Sequence, residues 1–296
     1  MRGEGASVPA DNISQSPLGI IAGNGALPCA VAESLIASGG NVHILGIRGE
    51  ALPAIQRYPH TWIKWGEVGK LFATLQAQGC RDLVIIGGVN RPDLANIKFD
   101  FGAIKSLPFI LSLTIGGDDH VLSSVVRFIE GKGYRIRGAG DVAPELLVPK
   151  GLLTGNAPSK DDEADIATAL RVVDALGRLD VGQGAVVAKG YVLAVEAAEG
   201  TDAMLERCAE LRKRRVRRKG GLSGVLVKAP KPGQEERVDM PAIGPDTLRH
   251  AASAGLAGVA VAAGRVLLAD REATISTANE LGLFLVGLKW PPLADG

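Results

Sequence analysis

The chain is expected to fold as an α/β protein in two domains, a parallel-sheet N-terminal domain followed by a mixed α/β C-terminal domain. Three observations carry that expectation. At 296 residues the chain exceeds what one hydrophobic core commonly organises. Its first half alternates short apolar, β-branched runs with amphipathic stretches, the order of a βαβαβ unit. The texture then changes across Val148–Pro158, VPKGLLTGNAP, before a second α/β series begins.

Residues 1–16 are polar and lack the apolar core of a signal peptide, so they read as a flexible extension with no export signal. The N-terminal domain is expected over residues 17–147. It opens with strand LGIIAG, helix PCAVAESLIASGG, strand NVHILGI, helix VGKLFATLQAQGC and strand DLVIIGG. These strands are apolar on both faces, as a parallel sheet covered by helices requires. A helix from Gly117 to Gly131 and a strand near Tyr134–Gly138 complete it. Residues 148–158 are expected as a linker and residues 159–296 as the C-terminal domain. There the pattern predicts a helix at Asp161–Leu176 and a hairpin turning at Lys189-Gly190, then a helix at Thr201–Arg214 and a strand at Gly224–Ala229. A helix follows Gly244-Pro245-Asp246-Thr247; strands near Gly258–Ala262 and Val266–Leu268, a helix at Arg271–Leu281 and the strand LFLVGL close the chain.

Composition removes several function classes. Lys and Arg number 33 against 32 Asp and Glu, so the chain has no whole-molecule field for nucleic acid and phosphate recognition must be local. Cys29, Cys80 and Cys208 are odd in number and widely spaced, which argues against a disulfide framework or a zinc site and for a reducing cytoplasm. The longest apolar stretch, Ala251–Ala263, falls short of the roughly 20 residues of a spanning helix. His43, His60, His120 and His250 are scattered, and no G-x-S-x-G elbow is present.

Two loops at carboxyl ends of the first-half strands carry glycine, AGNGALP (Ala22–Pro28) and GGVNRP (Gly87–Pro92), where an open α/β sheet places its ligand crevice. The first lacks a third glycine, because Pro28 stands there, and strand NVHILGI ends without a ribose-binding acid. Both absences count against a dinucleotide; another nucleotide, a sugar phosphate or a purely structural turn stay open. Asn90 and Arg91 could hold a phosphate or a uracil edge, or merely close a turn at Pro92. Asp118 and Asp119 read as first-turn helix acids or as a magnesium pair. The run Arg212–Lys219 is the densest charge; it reads as a solvated helix end or as a patch for anionic lipid headgroups, preferred here over RNA because no aromatic residues interleave.

The most informative region is Val192–Leu205 with Val225–Pro245, where apolar strands end in packed charge and hydroxyl. Glu196, Glu199, Asp202 and Asp239 supply carboxylates for a hard divalent ion, and Lys228 and Lys231 supply cations. That combination neutralises a diphosphate.

In order, GIIAGNGALP, GGVNRP, GDDHVL, LDVGQGAVV, AVEAAEGTDAM, VKAPKPGQ and DMPAIGPDT resemble the magnesium-dependent UDP-2,3-diacylglucosamine pyrophosphatases of lipid A biosynthesis, the type unrelated to calcineurin-like phosphoesterases. The resemblance runs from about Leu18 to the C-terminus. It implies a Rossmann-like N-terminal domain and a C-terminal α/β catalytic domain holding the ligand between them, usually in a homodimer. It implies hydrolysis of the lipid-linked UDP-sugar to UMP and 2,3-diacylglucosamine 1-phosphate (lipid X), with Mg2+, at the cytoplasmic face of the inner membrane and peripheral to it. Carried over by position, Asp239 matches the essential acid, as magnesium ligand or water activator. Glu196, Glu199 and Asp202 become supporting metal ligands, and Gly25, Ala26, Asn90, Arg91, Gln183, Thr201 and Lys228 substrate contacts. Asn24 departs from a glycine common in the first loop, and Glu235-Glu236-Arg237 from an acid-hydrophobe-arginine pattern. The acyl chains need an apolar groove, for which helix Thr201–Arg214 and segment Leu122–Ile129 are the expected lining. The rival readings are a non-catalytic nucleotide-sugar or lipid-phosphate binder, a dehydrogenase and a nucleic-acid binder.

Overall fold

The computed structural model describes residues 16–90, 97, 100–102, 118–215 and 223–290. They form two compact units, one from the described residues of Met1–Ile110 and Ile129–Arg137, the other from those of Leu111–Phe128 and Gly138–Gly296. The fold class is that expected from the sequence.

The first unit is built on β1 (Leu18–Ala22), β2 (Val42–Ile47), β3 (His60–Ile63), β4 (Asp82–Ile86) and β5 (Arg135–Ile136), with helices α1 (Leu27–Ala37) and α2 (Val68–Ala77). All five strands are parallel, in the order β3-β2-β1-β4-β5. Every residue of β1 and β2 is buried, which is why β1 reads as an unbroken apolar run and β2 as one interrupted only by His43, whose Nε2 meets Thr61 Oγ1 at 2.9 Å. Strand β3 was not among the expected strands. It lies at the sheet edge and buries only Ile63, so His60, Thr61 and Trp62 give it no apolar signature. At the other edge the two-residue β5 is anchored by Arg135, whose guanidinium donates to both carboxylate oxygens of Asp82 at 2.9 and 2.7 Å. Strand order reverses between β1 and β4, so the loops leaving them share one crevice. These loops are stitched together: Asn24 N–H donates to Gly88 O at 2.6 Å and Gly88 N–H to Asn24 O at 3.0 Å. The approach is so close that a Cβ on Gly23 would lie 2.4 Å from Gly88 O.

In the second unit, β6 (Gly151–Leu152), β7 (Gly184–Ala188), β8 (Tyr191–Val195), β9 (Val225–Lys228), β11 (Gly258–Ala262) and β13 (Phe284–Leu288) form a six-stranded sheet in the order β6-β13-β11-β9-β7-β8. A separate parallel pair joins β10 (Ala242–Ile243) to β12 (Leu267–Leu268). Strands β9, β11 and β13 are parallel, whereas β7 runs antiparallel to both β9 and β8. Fully buried Val186, Leu226, Val259 and Leu285 make the centre of the core. Helix Lys160–Gly177 begins at a Ser159–Asp162 capping box, each residue bonding the other's backbone N–H. One turn along it, buried Asp165 accepts from Lys189 N–H at 2.8 Å and Gly190 N–H at 2.7 Å. Those two residues, at φ of 54° and 75°, make the tight β7–β8 turn.

The segment 148–158, expected as a linker, contributes β6 to this sheet. Strand β6 pairs antiparallel with β13, Val148 is fully buried, and Thr154 Oγ1 accepts from Leu285 N–H at 2.9 Å. Glycine and proline among its apolar residues hide that role from periodicity. Helix Gly200–Arg215 spends Met204, Leu205 and Cys208 on the core, all fully buried, so those side chains are not groove lining. Arg212, the first residue of the basic run, turns inward and donates to Gly255 O at 2.6 Å and to Ser223 O. Residues 216–219 of that run lie outside the described residues, as does most of GDDHVL's leading loop.

Gly23→Ala is expected to lower stability by about 1–3 kcal/mol, since the added methyl meets backbone rather than a movable side chain. Gly88→Ala, which meets nothing within 4 Å, is expected to stay within about 0.5 kcal/mol; equal urea midpoints for the two variants would refute the tight stitch. Asp165→Ala is expected to cost about 2–3 kcal/mol by the loss of two charge-assisted bonds. An unchanged unfolding transition would mean that the turn needs no clasp.

Candidate active site

Strand direction gathers polar groups at one rim of the second sheet. Because β7 opposes β8 and β9, its first residue Gly184 pairs with Lys228, the last of β9. Glu196, just past β8, donates its N–H to Gly184 O at 2.8 Å. Gln183, Glu196 and Lys228 therefore meet although 45 residues of sequence separate the outer two.

Two hydrogen-bonded groups occupy this rim. In one, the Thr201 hydroxyl donates to Glu196 Oε1 at 2.9 Å and accepts from Lys228 Nζ at 2.6 Å, while Lys228 Nζ also donates to Ala242 O at 3.3 Å. Glu196 and Lys228 are only 6% and 5% exposed. In the other, Gln234 Nε2 donates to Asp239 Oδ2 at 2.5 Å and to Gln183 Oε1 at 3.3 Å. Gln234 is itself set by Lys231 N–H, which donates to its Oε1 at 2.8 Å. The loop carrying Asp239 is pinned by Arg237 donating twice to Glu235 at 2.8 Å and by Arg265 on Glu236. Those hydrogen bonds from Arg237 hold the Glu235 carboxyl below its usual range, and Glu236 raises Arg265. The Glu235-Glu236-Arg237 departure is thus a pair of clamps on the loop.

Of the other expected acids, Glu199 receives Arg207 Nη2 at 2.6 Å. Backbone N–H groups first, then Arg207, hold its carboxyl below the ordinary value. Asp202 Oδ1 lies 3.2 Å from His250 Nδ1, within ion-pair distance, yet the angle leaves that nitrogen without a hydrogen bond. Glu199, Thr201, Asp202, Lys228, Ala242 and Thr247 line a cleft of about 260 Å³. A second cavity of about 410 Å³ is lined by Arg127, Arg178, Asp180, Lys231 and Gln234, and there Lys231 pairs with Asp180. Among the described residues no three His, Cys, Asp or Glu side chains converge as a metal cage. Magnesium does not require one, since it commonly takes one or two carboxylates with water and substrate phosphate. The Asp239 carboxylate and the Gln183 amide oxygen, both reached by Gln234 Nε2, offer hard oxygen donors that fit such an ion.

In the first unit Gly25 and Ala26 stand at the entrance to α1. Gly25 has φ of 100°, its N–H donates to Asn24 Oδ1 at 2.8 Å, and Ala26 caps α1 without a side-chain acceptor. The asparagine that departs from the family's glycine therefore braces the turn. Asn90 is held by Glu50 Oε2, which accepts from its backbone N–H at 3.2 Å and from Nδ2 at 3.1 Å. Glu50 went unnoticed in the sequence because it follows β2 by three residues, beyond the strand end where an acid was sought. Arg91 lies outside the described residues.

A family model described as the LpxI N-terminal domain matches residues 17–146, and one described as the LpxI C-terminal domain matches residues 149–286. A relative from Caulobacter vibrioides, named UDP-2,3-diacylglucosamine pyrophosphatase LpxI, is 46% identical over 271 residues, covering 92% of this chain and 97% of the relative. With both domain models matched in order and one relative aligned along nearly its whole length, the chain belongs to the LpxI family.

Proposed function

We propose that the chain hydrolyses the pyrophosphate bond of UDP-2,3-diacylglucosamine to UMP and lipid X, a step of lipid A biosynthesis. The 46% identity to a relative named for acting on this substrate carries the reading. The polar rim supports it with acid, amide and ammonium groups suited to a diphosphate.

In this mechanism Asp239 is the central acid. Gln234 fixes one of its oxygens, so the carboxylate enters the reaction in a set orientation and loses little freedom there. Lys228 offers positive charge where phosphate charge shifts toward the leaving UMP. The carboxylate accepts a proton from the attacking water, whose oxygen bonds to the sugar-side phosphorus as the bond to the bridging oxygen breaks and UMP leaves. Magnesium, when bound through Asp239, would neutralise diphosphate charge. Glu196, Glu199 and Asp202 are proposed to shape the surrounding field, since each is bonded to or set beside a partner in the second unit. Gly25, Ala26, Asn90, Arg91, Gln183 and Thr201 are proposed for the substrate's neighbourhood. A homodimer at the cytoplasmic face of the inner membrane, held peripherally through what remains of Arg212–Lys219, completes the proposal. No helix among the described residues is long and apolar enough to cross a membrane.

Purified protein is expected to release UMP from UDP-2,3-diacylglucosamine with magnesium and to stop on chelation. Asp239→Ala is expected to lower kcat by about 10²-fold or more while still binding substrate. Binding without cleavage by the unaltered chain would leave a non-catalytic lipid-phosphate binder. In oxygen-18 water the label is expected in lipid X; label in UMP would move the attack to the other phosphorus.

A further inference from the structure

The Glu196–Thr201–Lys228 chain can be read further by counting protons. A threonine hydroxyl has one proton and two lone pairs. Thr201 gives that proton to Glu196 Oε1 and takes one from Lys228, so it has no proton left for a substrate oxygen. Lys228 has three N–H bonds; one goes to Thr201 and one to Ala242 O, which leaves the third for the cleft that Lys228 lines. Glu196 stands behind Thr201 and does not itself line that cleft. Its Oε1 is taken by Thr201, and its Oε2 is fully buried with no hydrogen-bond partner. That oxygen lies over Gly184, where an added Cβ would come within 2.4 Å of it. A carboxylate oxygen sealed against a strand is poorly placed to ligate an ion in open solution.

We propose that Glu196 is a positioning residue rather than a metal ligand, orienting Lys228 through the Thr201 hydroxyl so that the ammonium, not the hydroxyl, donates to a phosphate oxygen of the substrate. The assignment of that phosphate rests on the pyrophosphatase reading; the orientation of Lys228 does not. Removing either supporting group leaves Lys228 in place but frees its N–H directions, so the loss falls mainly on kcat.

Thr201→Val and Glu196→Met are each expected to lower kcat/KM about tenfold or more, the size of one charge-assisted hydrogen bond. The double variant is expected to be no worse than the poorer single, because both break one chain. Thr201→Ser and Glu196→Gln, which keep the donor and the acceptor, are expected to recover most of the loss, with half-saturating magnesium unchanged throughout. Glu196→Gln as poor as Glu196→Met, with half-saturating magnesium raised about tenfold, would make Glu196 a ligand and overturn the proposal. So would an unimpaired Glu196→Met beside an impaired Thr201→Val, since Thr201 would then be the donor. A readout without turnover comes from ¹H–¹⁵N spectra of lysine ammonium groups in the full chain. A slowly exchanging signal absent from Lys228→Arg is expected to vanish in Thr201→Val and Glu196→Met and to persist in the conservative variants. Its persistence in all four would sink the chain. Should the unaltered protein release no UMP, the pyrophosphatase reading fails, and these spectra still decide the orientation of Lys228.

Discussion

Strand β7 runs against both of its neighbours, and the polar rim of the second unit follows from that reversal. In an all-parallel sheet the first residue of one strand sits at the opposite end from the last residue of the next. Here Gly184 begins β7 exactly where β9 finishes at Lys228 and β8 has just passed into Glu196. The antiparallel insertion is secured from behind by Asp165, whose carboxylate closes the hairpin turn. A buried acid at the far end of the hairpin thereby helps to determine which groups face one another at the near end.

The rim also illustrates how a fold tolerates buried charge. Lys228 and Glu196 are almost wholly removed from water, a cost that isolated charges could not bear. They are joined through a hydroxyl instead of touching, and Lys228 gains a carbonyl besides. Around Asp239 the arrangement differs: the neutral amide of Gln234 contacts the carboxylate, and the charged pairs Arg237–Glu235 and Arg265–Glu236 fasten the loop. Electrostatic firmness there comes from groups that need not enter the chemistry.

Much of the fold was legible because burial on both faces writes itself as apolar runs, as in β1, most of β2 and Val225–Val227 of β9. The Lys189-Gly190 turn between two apolar runs and the helix expected at Asp161–Leu176 were legible too, and the structure supplies their local reasons, a positive-φ pair and a Ser159–Asp162 capping box. Strand β3 was not, since an edge strand with one buried residue carries no pattern. Nor was the pairing of β6 with β13, where two residues suffice and the partner lies more than 130 positions away. For the site, charge at strand ends marked the right neighbourhood: Glu196, Thr201 and Lys228 do meet, and Gln183 and Asp239 share Gln234. Sequence spacing could not say that Glu199 and Asp202 would face Arg207 and His250, that Asn90 would be held by Glu50, or that Arg212 would leave the basic run to bind backbone carbonyls. Those outcomes depend on which side of a helix or turn a residue falls once tertiary packing has chosen.

The bare backbone of Gly184 beneath Glu196 sets a condition on reuse of this arrangement. Transplanting the three polar side chains onto another sheet would fail unless the host strand also offered a position lacking a side chain directly under the carboxylate. The portable motif is therefore a quartet whose fourth member contributes, beyond its backbone pairing, only empty space, and a search keyed to functional groups alone would overlook it.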